Sequence, residues 1–170
     1  MNTIADSSSI ILLEKIRLLD KLVKEFNIII SKEVKIEAIE KGKEKKYPDA
    51  YHIEEKIRKN LINVKEVKDY IKVNKIMKDF NIERGESESI VLFLQEKANL
   101  LLTDDRLAFN ACKSIDIPAT GTLALVIGSY NKKIINKEEA INMIKILAKE
   151  GRYKNQLIFQ ALQDIEWEEK

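Results

Sequence analysis

Residues 84–109 read RGESESIVLFLQEKANLLLTDDRLAF. Three signals follow one another there. Ser87 to Lys97 carries Ile90, Val91, Phe93 and Leu94 at helical spacing and predicts a helix with those four buried. Gly85 ends whatever precedes it, and Glu86 falls in the helix's first turn, where a negative charge suits the helix dipole. Asn99 to Thr103 (NLLLT) is a continuous apolar run of strand length that stops at Asp104–Asp105. Residues 106–114 then return to helical periodicity. A helix, a buried strand, strand-end acids and another helix are the repeating unit of a mostly parallel sheet covered on both faces.

Working outward, the same unit recurs. Thr3 to Ala5 is a short strand that ends at Asp6, and Ser7, Ser8 and Ser9 can cap the helix that follows. That helix carries Ile10 to Leu13, then Ile16, Leu19, Leu22 and Val23. Asn27 to Ser31, with three consecutive Ile, is a buried strand, and residues 32–41 are a helix with Glu33, Glu37 and Glu40 near one face. Residues 50–60 and 66–80 are helical, with a short strand at Leu61 to Val64 between them. Ile117 to Ala119 is a strand and Gly121 to Ser129 a helix. Residues 137–149 and 154–166 form a helical C-terminal pair, the second with Leu157, Ile158, Ala161, Leu162 and Ile165 on one face. Residues 41–60, KGKEKKYPDAYHIEEKIRKN, are very polar and are expected to be a solvated excursion.

The expected architecture is therefore α/β: a three-layer α/β/α sandwich around a mostly parallel sheet, plus C-terminal helices. One domain spans 1–170, with its core at about 2–128 and a helical extension at about 137–170. In such folds ligands bind outside the carboxyl ends of the strands.

Composition narrows the chemistry. The 170 residues carry 30 Lys plus Arg against 28 Asp plus Glu, too balanced for a histone-like or tail-driven nucleic-acid binder. One Cys excludes an internal disulfide framework, and a reducing, cytoplasmic setting is expected. No apolar run approaches the ~20 residues of a membrane span, and MNTIADSSSIILLEKI lacks the basic start of a signal peptide. One His and one Cys cannot build a zinc site or a Cys–His nucleophile. Carboxylates and hydroxyls must carry any chemistry.

Two strands end in acids, Asp6 and Asp104–Asp105. Side by side they would aim carboxylates into one crevice, where like charges need a counter-charge. Mg²⁺ or Mn²⁺, which prefer hard oxygen ligands, would supply it. Each acid has a plainer reading: Asp6 or Asp105 as a helix cap, Glu86 as dipole compensation, Glu37 on a solvated helix face.

Four segments, in this order, make the chain similar to PIN-domain proteins: TIADSSSIILL, SKEVKIEAIEKG, RGESESIVLFLQEKANLLLTDD and IPATGTLALVI. The match is firm over residues 2–128 and looser beyond. The resemblance implies a metal-dependent ribonuclease using Mg²⁺ or Mn²⁺, in many members the toxin of a toxin–antitoxin pair. An RNA substrate, an antitoxin protein and a homodimer are the implied partners, with no membrane. By position it implies Asp6, Glu37, Glu88 and Asp105 as catalytic acids. Asp6, Glu88 and Asp105 would be metal ligands, with Asp104 the rival of Asp105. Glu86, Ser7, Thr103, Thr120 and Thr122 would support them, and Lys75, Arg84, Arg106 and Lys113 could contact the RNA backbone or simply be solvated. A PIN fold without turnover, serving as a nucleic-acid-binding or scaffolding module, is the alternative. A receiver-like or phosphatase domain also uses strand-end Asp residues, but it needs a Lys after a later strand, and none is well placed.

Overall fold

The computed structural model describes residues 1–167. Five strands, β1 (Asn2–Ala5), β2 (Asn27–Ser31), β3 (Ile62–Lys65), β4 (Leu100–Leu102) and β5 (Ala119–Thr120), form one sheet in the order β3-β2-β1-β4-β5. Every pairing is parallel. Successive residues of a strand face opposite sides, and the register turns that alternation into two cores. Ile4, Ile29 and Leu101 are paired across neighbouring strands and face one layer with α6 (Tyr70–Phe80), α7 (Arg84–Gln95) and α8 (Arg106–Ser114). Ala5, Ile28, Ile30 and Leu102 face the other. That layer holds α1 (Ser7–Lys15), α2 (Leu19–Glu25), α5 (Pro48–Arg58), α9 (Thr122–Asn131), α10 (Lys137–Glu150) and α11 (Asn155–Trp167). The three-layer sandwich read from the sequence is the fold observed.

After β2 the chain winds through α3 (Lys32–Lys35), a π-helical stretch at Ile36–Glu40 and α4 (Lys41–Glu44). A π-bulge shifts the facing of residues beyond it and is frequent at functional sites. Here it lies on Glu37.

Several expectations need correction. The first helix breaks at Arg17, whose φ of 59° is left-handed, because Leu18 and Leu19 turn inward to full burial. Asp6, rather than the serines, caps α1, and Ser7–Ser9 form its first turn. Residues 41–60 are not an excursion. They contain α5, which buries Ala50 and Ile53 and draws Lys56 into ion pairs with Glu14 and Asp20, both at 2.8 Å. His52 is exposed, with Nδ1 3.3 Å from Glu14. Leu92 is buried in place of Leu94, and Leu157 is exposed while Ala161 and Ile165 of the same helix face are buried. The side chain of Trp167 lies outside the described part. Cys112 is buried and inert, its thiol pushed up to about 12 by burial.

Candidate active site

The strand order reverses between β1 and β4, since β2 and β3 extend from one side of β1 and β4 and β5 from the other. A crevice at the carboxyl ends is expected at that switch. Asp6 follows β1, and Thr103, Asp104 and Asp105 follow β4 directly alongside, with the Asp6 amide donating to Leu102 O at 3.0 Å.

Asp6 is 1 % exposed. Its Oδ1 accepts the Ser8 hydroxyl, the Ser9 amide and the Ser9 hydroxyl, each at 2.8 Å. Its Oδ2 is buried with no hydrogen-bond partner. Burial raises the Asp6 pKa, opposed by the nearby Thr103 hydroxyl and by Ser8 and Ser9. Leaving a buried carboxylate oxygen unsatisfied costs about 1–3 kcal/mol or more, so this lone pair calls for a partner.

Asp105 caps α8, its Oδ1 accepting the Ala108 amide at 2.8 Å, and no hydrogen bond ties Oδ2 among the described residues. The Thr103 hydroxyl accepts the Asp105 amide at 3.2 Å. Thr103 thus lies between the Asp105 backbone and the Asp6 carboxylate. Thr120 enters through its backbone carbonyl, which accepts the Thr103 amide at 3.1 Å.

Asp104 is placed differently. Its carboxylate accepts the Thr122 amide at 2.9 Å, the Thr122 hydroxyl and the Tyr153 hydroxyl. A Cβ on Gly121 would stand 3.0 Å from Oδ1. Asp104 ties β4, α9 and the α10–α11 turn together, whereas Asp105 keeps one carboxylate oxygen without a hydrogen bond among the described residues; both acids line the same cleft.

The two acids of α7 diverge. Two residues along a helix are about 200° apart. Glu86 lies toward Asp105 and Asp6. Burial, joined by those two negative charges and Glu83, raises its pKa to about 7. Its Oε2 also accepts the Glu83 amide at 2.6 Å, closing the capping box of α7. Glu88 is 2 % exposed and points to the start of α3. There it meets the Glu33 amide at 3.4 Å and pairs with Arg84 Nε at 3.0 Å. Arg84 thereby supplies Glu88 with a counter-charge that Glu86 lacks.

Glu37 sits over the first turn of α7, against Gly85. A Cβ on Gly85 would stand 2.5 Å from Glu37 Oε2. Gly85 is therefore not a helix stop but a residue inside α7 that makes room for Glu37. Burial raises the Glu37 pKa, opposed by Ser7 and Lys41. Gly85→Ala is expected to leave stability little changed, because a gain of about 0.5–1 kcal/mol in helix propensity is offset by displacing the half-buried Glu37 carboxylate. The new methyl displaces the Glu37 carboxylate, and such misplacement can cost about 10²-fold in turnover. Thermal melting and an RNA cleavage assay on one preparation check both halves.

Among the described residues, no three Asp, Glu, His or Cys side chains converge as a ready-made metal cage. The donor chemistry nonetheless suits a hydrated cation. Mg²⁺ commonly takes one or two carboxylates and keeps several waters, and Asp6 Oδ2 and Asp105 Oδ2 are the uncommitted oxygens.

Beside these acids lies a cleft of about 480 Å³, lined among others by Glu83, Glu86, Asp105, Lys15, Glu150 and Arg152. The expected nucleic-acid contacts are distributed otherwise. Arg84 is engaged with Glu88 and stacks on Tyr70, 5.4 Å from the ring centre. Arg106 is exposed on the first turn of α8, Lys75 on the middle of α6, and Lys113 at the far end of α8 from Asp105. Lys15, Tyr153 and Arg152 carry no functional signal in the sequence, and Ser8 and Ser9 read there only as helix caps.

A parallel α/β sandwich with acids gathered at its switch point is the class the fold and the crevice define. The sequence model of the family described as PIN domain matches residues 2–167. The chain belongs to the PIN-domain family, and the match takes in the C-terminal helices. Among solved structures it resembles PAE2754 from Pyrobaculum aerophilum, with a TM-score of 0.53 and 18 % identity, over 74 % of this chain and 95 % of that one. No curated protein matches. No helix among the described residues is long and apolar enough to cross a membrane.

Proposed function

We propose that this chain is a Mg²⁺- or Mn²⁺-dependent endoribonuclease that hydrolyses phosphodiester bonds in RNA. The observation that carries the reading is the orphaned Oδ2 of buried Asp6 in a crevice shared with Asp105 and Glu86. PIN folds are in general nuclease folds, and family membership supports the same class of chemistry.

Asp6 and Asp105 would hold the cation, with Glu86 closing the ligand set. A divalent ion there would lower the pKa of a bound water and offset charge on the leaving oxygen. Glu37, within reach of Ser7, orients the attacking water. Thr103, Ser8 and Ser9 fix the ligand carboxylates so that they need not reorganise as charge develops. The reading extends to a toxin with an antitoxin partner, acting in the cytoplasm. It extends also to a homodimer, supported by exposed Leu157 and Phe159 on α11. A second reading, a silent RNA-binding module, draws on the lack of a ready-made cage among the described residues and on the Arg84–Glu88 pair.

Cleavage of a mixed RNA pool separates the two. The expected result is cleavage with Mg²⁺ or Mn²⁺, its loss in EDTA and its return when the cation is added back. Binding of RNA without cleavage under any divalent cation selects the second reading.

A further inference from the structure

The turn between α10 and α11 is built to reach the crevice. At its start, a Cβ on Gly151 would stand 2.6 Å from the Tyr153 ring, so only glycine lets the ring fold back at this point. The Tyr153 hydroxyl then donates to Asp104 and lies 3.3 Å from the Leu123 amide that donates to it. Asp104 in turn is seated against Gly121 and bonded to Thr122. Two glycines and three hydrogen-bonding side chains therefore fix a turn more than 45 residues beyond β4 in sequence onto the end of that strand. The residue inside the turn is Arg152, which lines the acidic cleft and is exposed.

The other basic residue lining this cleft is engaged. Lys15 pairs with Glu150 at 2.8 Å. Arg152 has no ion-pair partner among the described residues. An unpaired guanidinium at the rim of a carboxylate cluster is suited to an anion that must lie against those carboxylates, and its planar fork matches a phosphate bidentately.

We infer that Arg152 contacts a phosphate of the single-stranded RNA in the cleft, and that Tyr153, through Asp104, is the positioning residue that holds it there. This rests on the ribonuclease reading for the identity of the ligand. It adds the contact that would hold the strand across the acids.

The test measures binding of a fluorescent single-stranded RNA by anisotropy in EDTA, where turnover plays no part, at several salt concentrations. Arg152→Ala is expected to weaken binding by roughly three- to tenfold and to flatten the salt dependence by about 0.7 in log–log slope, the loss of one phosphate contact on a single strand. Arg152→Lys is expected to restore the slope but only part of the affinity. Lys145→Ala, which removes an exposed charge of α10 outside this cleft, serves as the charge-matched control. Tyr153→Phe is expected to weaken binding in the wild-type background and to have no further effect on Arg152→Ala, the signature of action through one residue.

Unchanged affinity and slope in Arg152→Ala overturn the inference while leaving the ribonuclease reading intact. An equal change in Lys145→Ala reduces it to general electrostatics and overturns it too. Additive losses in the double variant overturn the role of Tyr153. Failure of the wild-type chain to bind RNA in EDTA overturns the inference alone, because the ribonuclease reading is decided by cleavage with the cation present.

Discussion

Asp6→Asn is expected to abolish metal-dependent RNA cleavage, by about 10³-fold or more, while the protein stays folded. The magnitude follows from the several kcal/mol of charge stabilisation that a bound divalent ion contributes. The fold survives because asparagine keeps the one oxygen that Asp6 uses structurally. Its Oδ1 can still accept the Ser9 amide at the head of α1, and Asn is as good a cap as Asp. What is lost is the second oxygen, which carries no hydrogen bond and is buried. Stability is therefore expected to be unchanged or to rise slightly in metal-free buffer, where the native Asp6 suffers from burial. Parallel measurement of the melting curve and of cleavage rate, with the purified variant handled as the wild type, checks both. A variant that cleaves normally would show the activity to come from another source.

The second large effect separates the acids of α7. Glu86→Gln is expected to cut cleavage by about 10²-fold or more, because it removes a carboxylate from a charge cluster that a cation would neutralise. Glu88→Gln is expected to retain much of the activity. Its cost is stability, about 1–3 kcal/mol, since it weakens the charge-assisted bonds to Arg84 and the Glu33 amide. The pH dependence of stability provides an independent readout. The folded-state pKa of Glu86 is about 7, above its ordinary 4.5. A raised acid favours the folded state fully while protonated in both states. Its contribution is present below about pH 4.5 and is lost as pH rises through about 7. Melting temperatures of the metal-free wild type are expected to fall across that window, and Glu86→Gln to flatten the fall. The reverse ranking, with Glu88→Gln dead and Glu86→Gln active, would return the third acid to the position that family resemblance assigns.

The fold was legible because β2 and β4 are apolar runs closed by polar residues. NIIIS and NLLLT leave little room for another assignment, and their buried neighbours on both faces require a covered parallel sheet. The helix ends were less legible for a specific reason. The αL position that closes a helix is usually glycine, but here Arg17, Lys46, Asn60, Asn81, Lys97, Asp116 and Lys133 take positive φ, and no glycine does. The stop signals were thus hidden in ordinary polar residues, which is why the break at Arg17 went unseen. The polarity of residues 41–60 misled in the same way, because the charge of Lys56 is buried against Glu14 and Asp20.

At the site, Asp6 and Asp105 could be placed from strand ends alone. Choosing Asp105 over Asp104 could not, because the deciding partner is Tyr153, 49 positions away from Asp104. Nor could the split between Glu86 and Glu88, since it depends on which side of α7 faces β1 and on Arg84 turning back one helical turn to Glu88. Gly85 looked like a terminator and is instead a seat for Glu37. Such roles are set by what lies opposite in space.

Asp6 and Asp105 are expected to share one divalent cation. Crystals of the protein grown with manganese, with diffraction recorded at the manganese absorption edge, measure this most directly. The expected result is an anomalous peak within about 2.0–2.3 Å of one oxygen from each of these two acids, with Glu86 in the first or water-bridged shell. A map with no peak in the crevice, or with manganese bound only elsewhere, would contradict the account.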